Sequence, residues 1–178
     1  SKGRPISGFP DGFQWLGTGA VMGVPVPLII LMIAAMIAIV VASRTTYGFR
    51  VYAIGCNERA AGYSAIPVAR VKFLLYTMSG TVAALAGVLL VARRNTAKAD
   101  LGTGIELEVI TGVVLGGTSI FGGRGRILGT LLGILLIHEV REFVSWHWQK
   151  DELILIVIGA ILIVSVLLNN LAVRWRKR

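Results

Sequence analysis

The chain has 178 residues, of which 55% are hydrophobic and only 15% are charged, and its mean hydropathy is +0.77. Soluble domains carry roughly a quarter charged residues, so this composition excludes an ordinary water-soluble globular protein. A single cysteine excludes an internal disulfide, and the formal net charge of +9 makes the placement of the Lys and Arg residues informative.

The first 23 residues contain several Gly and Pro residues and no long apolar run, which is typical of a connecting segment. We expect residues 1–23 to form an external loop. The chain begins with Ser and shows no signal-peptide pattern, which favours a piece of a longer protein.

Five apolar runs follow, and a bilayer core about 30 Å thick needs roughly 20 helical residues to cross it. None of the runs alternates apolar and polar residues as a barrel strand would, so the sequence predicts helices. The fold class we expect is all-α, a polytopic membrane protein with one transmembrane domain over residues 1–178. The runs are residues 24–42, 71–92, 105–121, 127–144 and 153–168.

The segment between the first two runs, residues 43–70, is polar, basic and longer than a helix connection needs to be. Small residues, one Asn and one acid lie among Arg44, Arg50, Arg59 and Arg70. The segment is therefore predicted to be a cytoplasmic loop that docks on a partner.

The third and fourth runs are weaker and are joined by a glycine-rich stretch. Glu106 and Glu108 open the third run, and Gly116 and Gly117 begin the stretch between the two. Membranes tolerate such exposed backbone only where protein or a water-filled cavity surrounds it. The pattern predicts a broken glycine-rich helix pair, with residues 100–130 facing protein or a translocation path.

The two acids Glu106 and Glu108 allow three interpretations. In a first helical turn they stabilise the helix dipole by about 0.3 to 1 kcal/mol and contact neighbouring helices. The alternatives are a proton relay, and recognition of a binding protein or of solute hydroxyls.

Small residues recur at four-residue spacing, which is typical of closely packed membrane helices. The three sets are Ser79, Ala83 and Gly87, then Gly112 and Gly116, then Gly125, Gly129 and Gly133.

If residues 43–70 are cytoplasmic, eleven of the eighteen Lys and Arg residues lie on that side, which agrees with the positive-inside rule. Residues 169–178 are then a basic cytoplasmic tail, whose expected partner is anionic lipid and not nucleic acid.

We expect no catalytic, metal or cofactor site. His138 and His147 are nine residues apart and lack the spacing of a helical metal pair. The chain has no nucleotide-binding loop and no nucleophile elbow, so a partner must supply the energy for uphill transport.

Four motifs in this order and spacing resemble those of the permease subunits of ribose-type ABC importers. They are Tyr52 to Ile66 with Arg70 to Lys72, Gly102-Thr-Gly-Ile-Glu-Leu-Glu-Val-Ile110, Val113-Val-Leu-Gly-Gly-Thr-Ser119, and Gly122-Gly-Arg-Gly-Arg-Ile-Leu-Gly-Thr-Leu-Leu-Gly133. Within that family, residues 137–149 most resemble autoinducer-2 import permeases. The resemblance covers essentially the whole chain and implies the carboxy-terminal half of a permease in the bacterial inner membrane.

The resemblance also implies partners and site residues. The partners are a second permease subunit, cytoplasmic ATPase subunits and a periplasmic solute-binding protein. Cys56 and Ala65 stand where the family usually has Gly, and Gly62 with Tyr63 departs from its usual pair. The implied ATPase-coupling residues are Gly55, Asn57, Glu58, Ala60, Ala61 and Ser64, with Asn57 capping a short helix. The implied translocation-path residues are Gly102, Gly104, Glu106, Glu108, Gly116, Gly117, Thr118 and Ser119.

The function predicted from these residues is import of a sugar-like solute, autoinducer-2 by preference, as the membrane subunit of an ABC importer. One alternative is an ion- or proton-coupled secondary transporter or channel that uses Glu106, Glu108 and the break at Gly116 and Gly117. The other is a non-functional permease remnant.

Overall fold

The computed structural model describes residues 5–99, 101–120, 122–148 and 151–175. Within these ranges the protein is almost entirely helical, which confirms the all-α class. The described residues form eight helices, which are α1 (Asp11–Thr18), α2 (Val26–Arg44), α3 (Thr46–Cys56), α4 (Glu58–Tyr63), α5 (Val68–Arg94), α6 (Ile105–Leu115), α7 (Ile127–Trp148) and α8 (Asp151–Trp175). Four two-residue strands are β1 (Ile6–Ser7), β2 (Ala20–Val21), β3 (Val24–Pro25) and β4 (Thr96–Ala97).

Helices α2 and α5 are long and apolar enough to cross a membrane, with mean hydropathies of 2.8 and 1.9 over their most apolar windows. Pro25 precedes α2 and Pro67 precedes α5. Proline has no backbone N–H, but at the start of a helix this removes no hydrogen bond within the helix. Hardly any residue of the two apolar windows is buried, and every residue of α5 from 73 to 88 is exposed. Such a large apolar surface is unfavourable in water, so it is suited to contact lipid or other membrane helices.

The other three predicted spans also form helices, but they differ in length. Helix α6 has 11 residues and rises only about 16 Å, so it is too short to cross the bilayer. Helix α7 has 22 residues without interruption, so the break in the glycine-rich pair lies at the end of α6 alone. Helix α8 contains the apolar stretch Leu153–Leu167, and its backbone continues through Trp175.

Helix α8 therefore continues into the predicted basic tail, residues 169–178, of which residues 176–178 lie outside the described residues.

By their contacts the helices form two compact units. The first consists of the described parts of Ser1–Val51 and Ala61–Gly102, and the second of the described parts of Tyr52–Ala60 and Thr103–Arg178.

In the first unit, the predicted external loop contains helix α1, which packs on α5 and α2. A Cβ on Gly17 would lie 2.6 Å from the Arg93 Cα, so glycine lets the two backbones touch. Strands β1 and β4 pair antiparallel, and the Asn95 side chain accepts a hydrogen bond from the Phe9 N–H at 3.2 Å. The amino-terminal segment is thereby attached to the carboxy-terminal end of α5.

In the second unit, α6, α7 and α8 pack against one another. A small apolar core joins α7 to α8 through Val144, Ile154 and Ile158. The backbone of residues 52–60, which include the end of α3 and the start of α4, belongs to this unit as well.

Candidate functional site

Helices α6 and α7 cross through glycines. A Cβ on Gly116 would lie 2.6 Å from the Thr130 N and would overlap the carbonyl of Gly129. One turn earlier, a Cβ on Gly112 would lie 2.9 Å from the Ile134 Cα. The close approach therefore requires glycine, and the packing role predicted for this set of small residues is confirmed on α6 and α7.

The first turn of α6 holds the two acids in different surroundings. Gly104 precedes the helix with φ +89°, and Glu106 is exposed. Glu108 accepts a hydrogen bond from the Arg141 guanidinium of α7, and its side chain is only 18% exposed. The ion pair fastens the start of α6 to α7 and occupies the carboxylate that a proton relay would need.

The end of α6 carries the second group of predicted path residues. Gly117 follows the helix with φ +83°, which turns the chain away from the helix axis. The hydroxyls of Thr118 and Thr130 are 3.1 Å apart, and the Ser119 N–H donates to the Arg124 carbonyl at 2.9 Å.

The eight predicted path residues therefore lie at two places and do not form one cluster. Gly104, Glu106 and Glu108 are at one end of α6, and the group from Gly116 to Ser119 is at the other, about 16 Å away. Gly102 precedes the first group and is exposed, and a Cβ on it would lie more than 4 Å from every described residue other than its chain neighbours. Each group contacts α7 on its own.

The predicted coupling residues surround helix α4. The Asn57 Oδ1 accepts the Ala60 N–H at 3.1 Å, so Asn57 caps the helix as the sequence predicted. Asn57, Glu58, Ala60 and Ser64 are exposed, whereas Ala61 is only 5% exposed and faces the chain. Within α4 only Ala61 is buried, so both ends of the helix are exposed.

The chain leaves α4 through an unusual backbone conformation. Ala65 has φ +58°, a left-handed value that costs a residue with a Cβ about 1 to 2 kcal/mol. The family resemblance places Gly at this position and at Cys56, and the conformation of Ala65 explains the preference for Gly there.

The end of α3 contacts the loop that joins α6 to α7. The Tyr52 hydroxyl donates to the Gly125 carbonyl at 3.0 Å, and a Cβ on Gly55 would lie 2.5 Å from the Gly123 N. The Cys56 thiol contacts the Gly123 carbonyl at 3.7 Å. Gly55, the first of the predicted coupling residues, therefore packs against the protein and is not part of the exposed face of α4.

Comparison with known proteins identifies the family. A family model described as "Branched-chain amino acid transport system / permease component" matches residues 2–166. The chain belongs to this permease family. The ribose import permease protein RbsC of Bacillus subtilis (strain 168) is 43% identical over 172 residues, which are 96% of this chain and 53% of that protein.

Two further relatives give the same result. The autoinducer 2 import system permease protein LsrD of Yersinia enterocolitica is 39% identical over 179 residues, covering 97% of this chain and 54% of that protein. The ribose import permease protein RbsC of Escherichia coli (strain K12) is 37% identical over 174 residues, covering 96% and 54%. The chain spans about half the length of these relatives, and the match is to their carboxy-terminal part. No solved structure matches it.

Two contacts in this permease were missed by the sequence analysis. Arg141 was assigned no partner, because a pair 33 residues apart on two helices depends on their crossing. Tyr52 was included only in a motif, and its contact with Gly125 spans 73 residues. The sequence signal for the contact of Tyr52 with Gly125 was the presence of glycine on both segments, Gly55 on α3 and Gly122 to Gly125 in the loop.

Proposed function

We propose that this chain is the membrane-spanning part of an ABC importer that carries a sugar-like, hydroxylated solute across the bacterial inner membrane. Its relatives are import permeases for ribose and for autoinducer 2, which supports the solute class. The observation that carries the proposal is the exposed, capped helix α4 in a chain with such relatives. The remaining partners would be a second permease subunit and a periplasmic solute-binding protein.

Helix α4 is suited to contact a cytoplasmic ATPase subunit. Its cap and first turn expose Asn57, Glu58 and Ala60, and the short side chains of Asn57 and Ala60 allow another backbone to come close. Tyr63, at the other end of the helix, is 93% exposed and offers an aromatic contact. The docking residues we propose are therefore Asn57, Glu58, Ala60 and Ser64, with Gly55 and Ala61 supporting the helix from the protein side.

The path of the solute is proposed to follow the glycine-rich end of α6. Gly117, Thr118 and Ser119 interrupt the helix there, and hydroxyl groups both donate and accept hydrogen bonds, as a polyhydroxylated solute requires. At the other end of α6, Glu106 is the exposed acid and the candidate for contact with an arriving solute or binding protein.

The ion pair of Glu108 and Arg141 weighs against the alternative of a proton-coupled transporter. A carboxylate that carries protons has to change its charge during the cycle, and loss of its charge would leave the partly exposed Arg141 without this partner. The pair instead fits the interpretation of Glu108 as a structural acid at the start of α6.

Two contacts support the orientation proposed from charge. The end of α3 contacts Gly123 and Gly125, so residues 43–70 and the loop after α6 can share the cytoplasmic side. The pairing of β1 with β4 joins the amino-terminal segment to the end of α5, which fits a common external side.

Uptake of radiolabelled solute by membrane vesicles that contain the natural importer tests the proposal. We expect uptake to require ATP and an active partner ATPase, and to continue when a protonophore removes the proton gradient. Uptake that survives an inactive ATPase and is abolished by the protonophore would support the alternative instead.

The solute is the finer part of the proposal, with autoinducer 2 and ribose as the two candidates. Residues 137–149 favour autoinducer 2 by resemblance, whereas identity to the ribose relatives is as high. Competition between labelled ribose and unlabelled autoinducer 2, in the presence of the cognate binding protein, distinguishes the two.

A further inference from the structure

The end of α3 and the loop after α6 form a contact that we name the glycine clasp. It consists of Tyr52, Gly55 and Cys56 on one side and Gly122, Gly123 and Gly125 on the other. A Cβ on Gly122 would lie 2.7 Å from the Gly55 carbonyl oxygen, and a Cβ on Gly123 would lie 2.6 Å from the Cys56 Sγ. With the Tyr52 hydrogen bond, the clasp joins the two segments by backbone contact, leaving no room for a side chain between them.

The clasp is continuous with both of its neighbouring elements. On one side, Asn57 follows Cys56 directly and caps α4. On the other, the Gly122 N–H donates to the Ser119 carbonyl at 3.1 Å, and Thr118 contacts Thr130 at the start of α7. A short series of contacts therefore leads from the docking helix to the crossing of α6 and α7.

The division of the chain into compact units agrees with this contact. Residues Tyr52–Ala60 belong to the compact unit of Thr103–Arg178, whereas the residues on either side of them in sequence belong to the other unit. The start of α4 thus groups with α6 and α7, through the contact of the end of α3 with the loop that joins these two helices.

We infer that the glycine clasp makes residues 52–60 and the loop after α6 a single moving body. This inference rests on the proposed function, in which an ATPase contacts α4. A displacement of α4 is then transmitted through the clasp to the end of α6 and the start of α7, where Gly117, Thr118 and Ser119 lie. Close-packed groups transmit displacement, and in the clasp the backbones of Gly55, Gly122 and Gly123 approach with no side chain of their own between them.

The inference predicts that breaking the clasp uncouples ATP hydrolysis from transport. In the complete importer, Gly55→Val places a branched side chain against Gly123, and uptake per ATP hydrolysed should fall at least tenfold while the ATPase still copurifies with the permease. Tyr52→Phe should lower the same ratio severalfold. The matched control is Tyr47→Phe, which removes a hydroxyl from the same helix whose bond, to the Val71 carbonyl at 3.2 Å, lies outside the clasp.

A disulfide tests the same inference by comparing the oxidised variant with its own reduced form, so that any disruption by the new side chain is common to both. Cys56 is the one cysteine of the chain, and a β-carbon on Gly123 lies within reach of its sulfur, so Gly123→Cys can be oxidised onto it after a small backbone shift. If the clasp moves as one body, oxidation leaves uptake equal to or above that of the reduced variant. Cys56→Ser in the same background shows that the effect of the oxidant depends on the bond.

Two results would overturn the inference. One is loss of uptake on oxidation with recovery on reduction, because the clasp would then have to open during transport. The other is an unchanged ratio of uptake to ATP hydrolysis in Gly55→Val. Either result leaves the proposed function intact, since that proposal fails only if uptake by the unaltered importer does not require the ATPase.

Discussion

At the scale of single residues, Glu108 is the side chain on which the two transport mechanisms differ most. We expect Glu108→Gln to destabilise the permease by about 1 to 2 kcal/mol, because the partly exposed Arg141 loses its carboxylate. The charge-reversed pair Glu108→Arg with Arg141→Glu should restore part of that stability. Thermal unfolding in detergent measures both effects.

Glu106→Gln is the matched control, because Glu106 is on the same helical turn and exposed. Its substitution removes only the interaction with the helix dipole and should cost less than that of Glu108, about 0.3 to 1 kcal/mol. If Glu108→Gln left stability unchanged and abolished uptake only where a proton gradient drives it, the carboxylate would be a proton carrier and the structural interpretation would be wrong.

Single residues also show how far the sequence could predict the site. The cap by Asn57 was predictable because it depends on neighbours three residues away. The burial of Ala61, the ion pair of Arg141 and the contact of Tyr52 were not, because each depends on elements that are distant in sequence. The sequence therefore predicted contacts between residues that are near in sequence, but not contacts between side chains on different helices.

At the scale of elements, the crossing of α6 and α7 gives the next prediction. Gly116→Ala places a Cβ against the Gly129 carbonyl and should separate the helices, with at least a tenfold loss of uptake. Gly80→Ala is the control, since a Cβ there meets no atom within 4 Å and alanine favours the helix. Uptake and expression of the two variants are compared in the same membranes.

Equal uptake by Gly116→Ala and Gly80→Ala would show that the crossing can widen without consequence. The glycines would then be incidental to transport.

The elements themselves were largely predictable, because apolar runs long enough for a bilayer form helices at nearly the predicted places. Helices α1 and α3 were not predicted, because each lies in a segment expected to be a loop. In α1, Gly12 and Gly17 weaken the local helix preference, and packing on α5 supplies the stability. The set Ser79, Ala83 and Gly87 is exposed on α5, so its packing role stays a prediction. The sequence showed which helices approach closely only where glycines occurred on both.

At the scale of the whole molecule, orientation in the membrane can be tested through Cys56. The thiol is exposed, and we place it on the cytoplasmic side with α4. An impermeant thiol reagent should label it in inside-out vesicles and leave it unlabelled in intact cells. Labelling from outside intact cells would reverse the proposed topology, and a Cys56→Ser variant gives the background signal.

The last prediction is that the 178-residue chain does not transport on its own. Helices α2 and α5 leave apolar faces exposed, and α6 is too short to line a path across the bilayer without further protein. Lipid can cover an apolar face, but non-helical backbone such as that after α6 is tolerated at membrane depth only where protein or water surrounds it.

Reconstituted alone in proteoliposomes, the chain should therefore show no uptake of ribose or autoinducer 2, with or without ATP. The natural importer in matched liposomes is the positive control. Saturable uptake by the isolated chain would contradict the proposal that a partner ATPase drives transport, and it would favour the secondary transporter in its place.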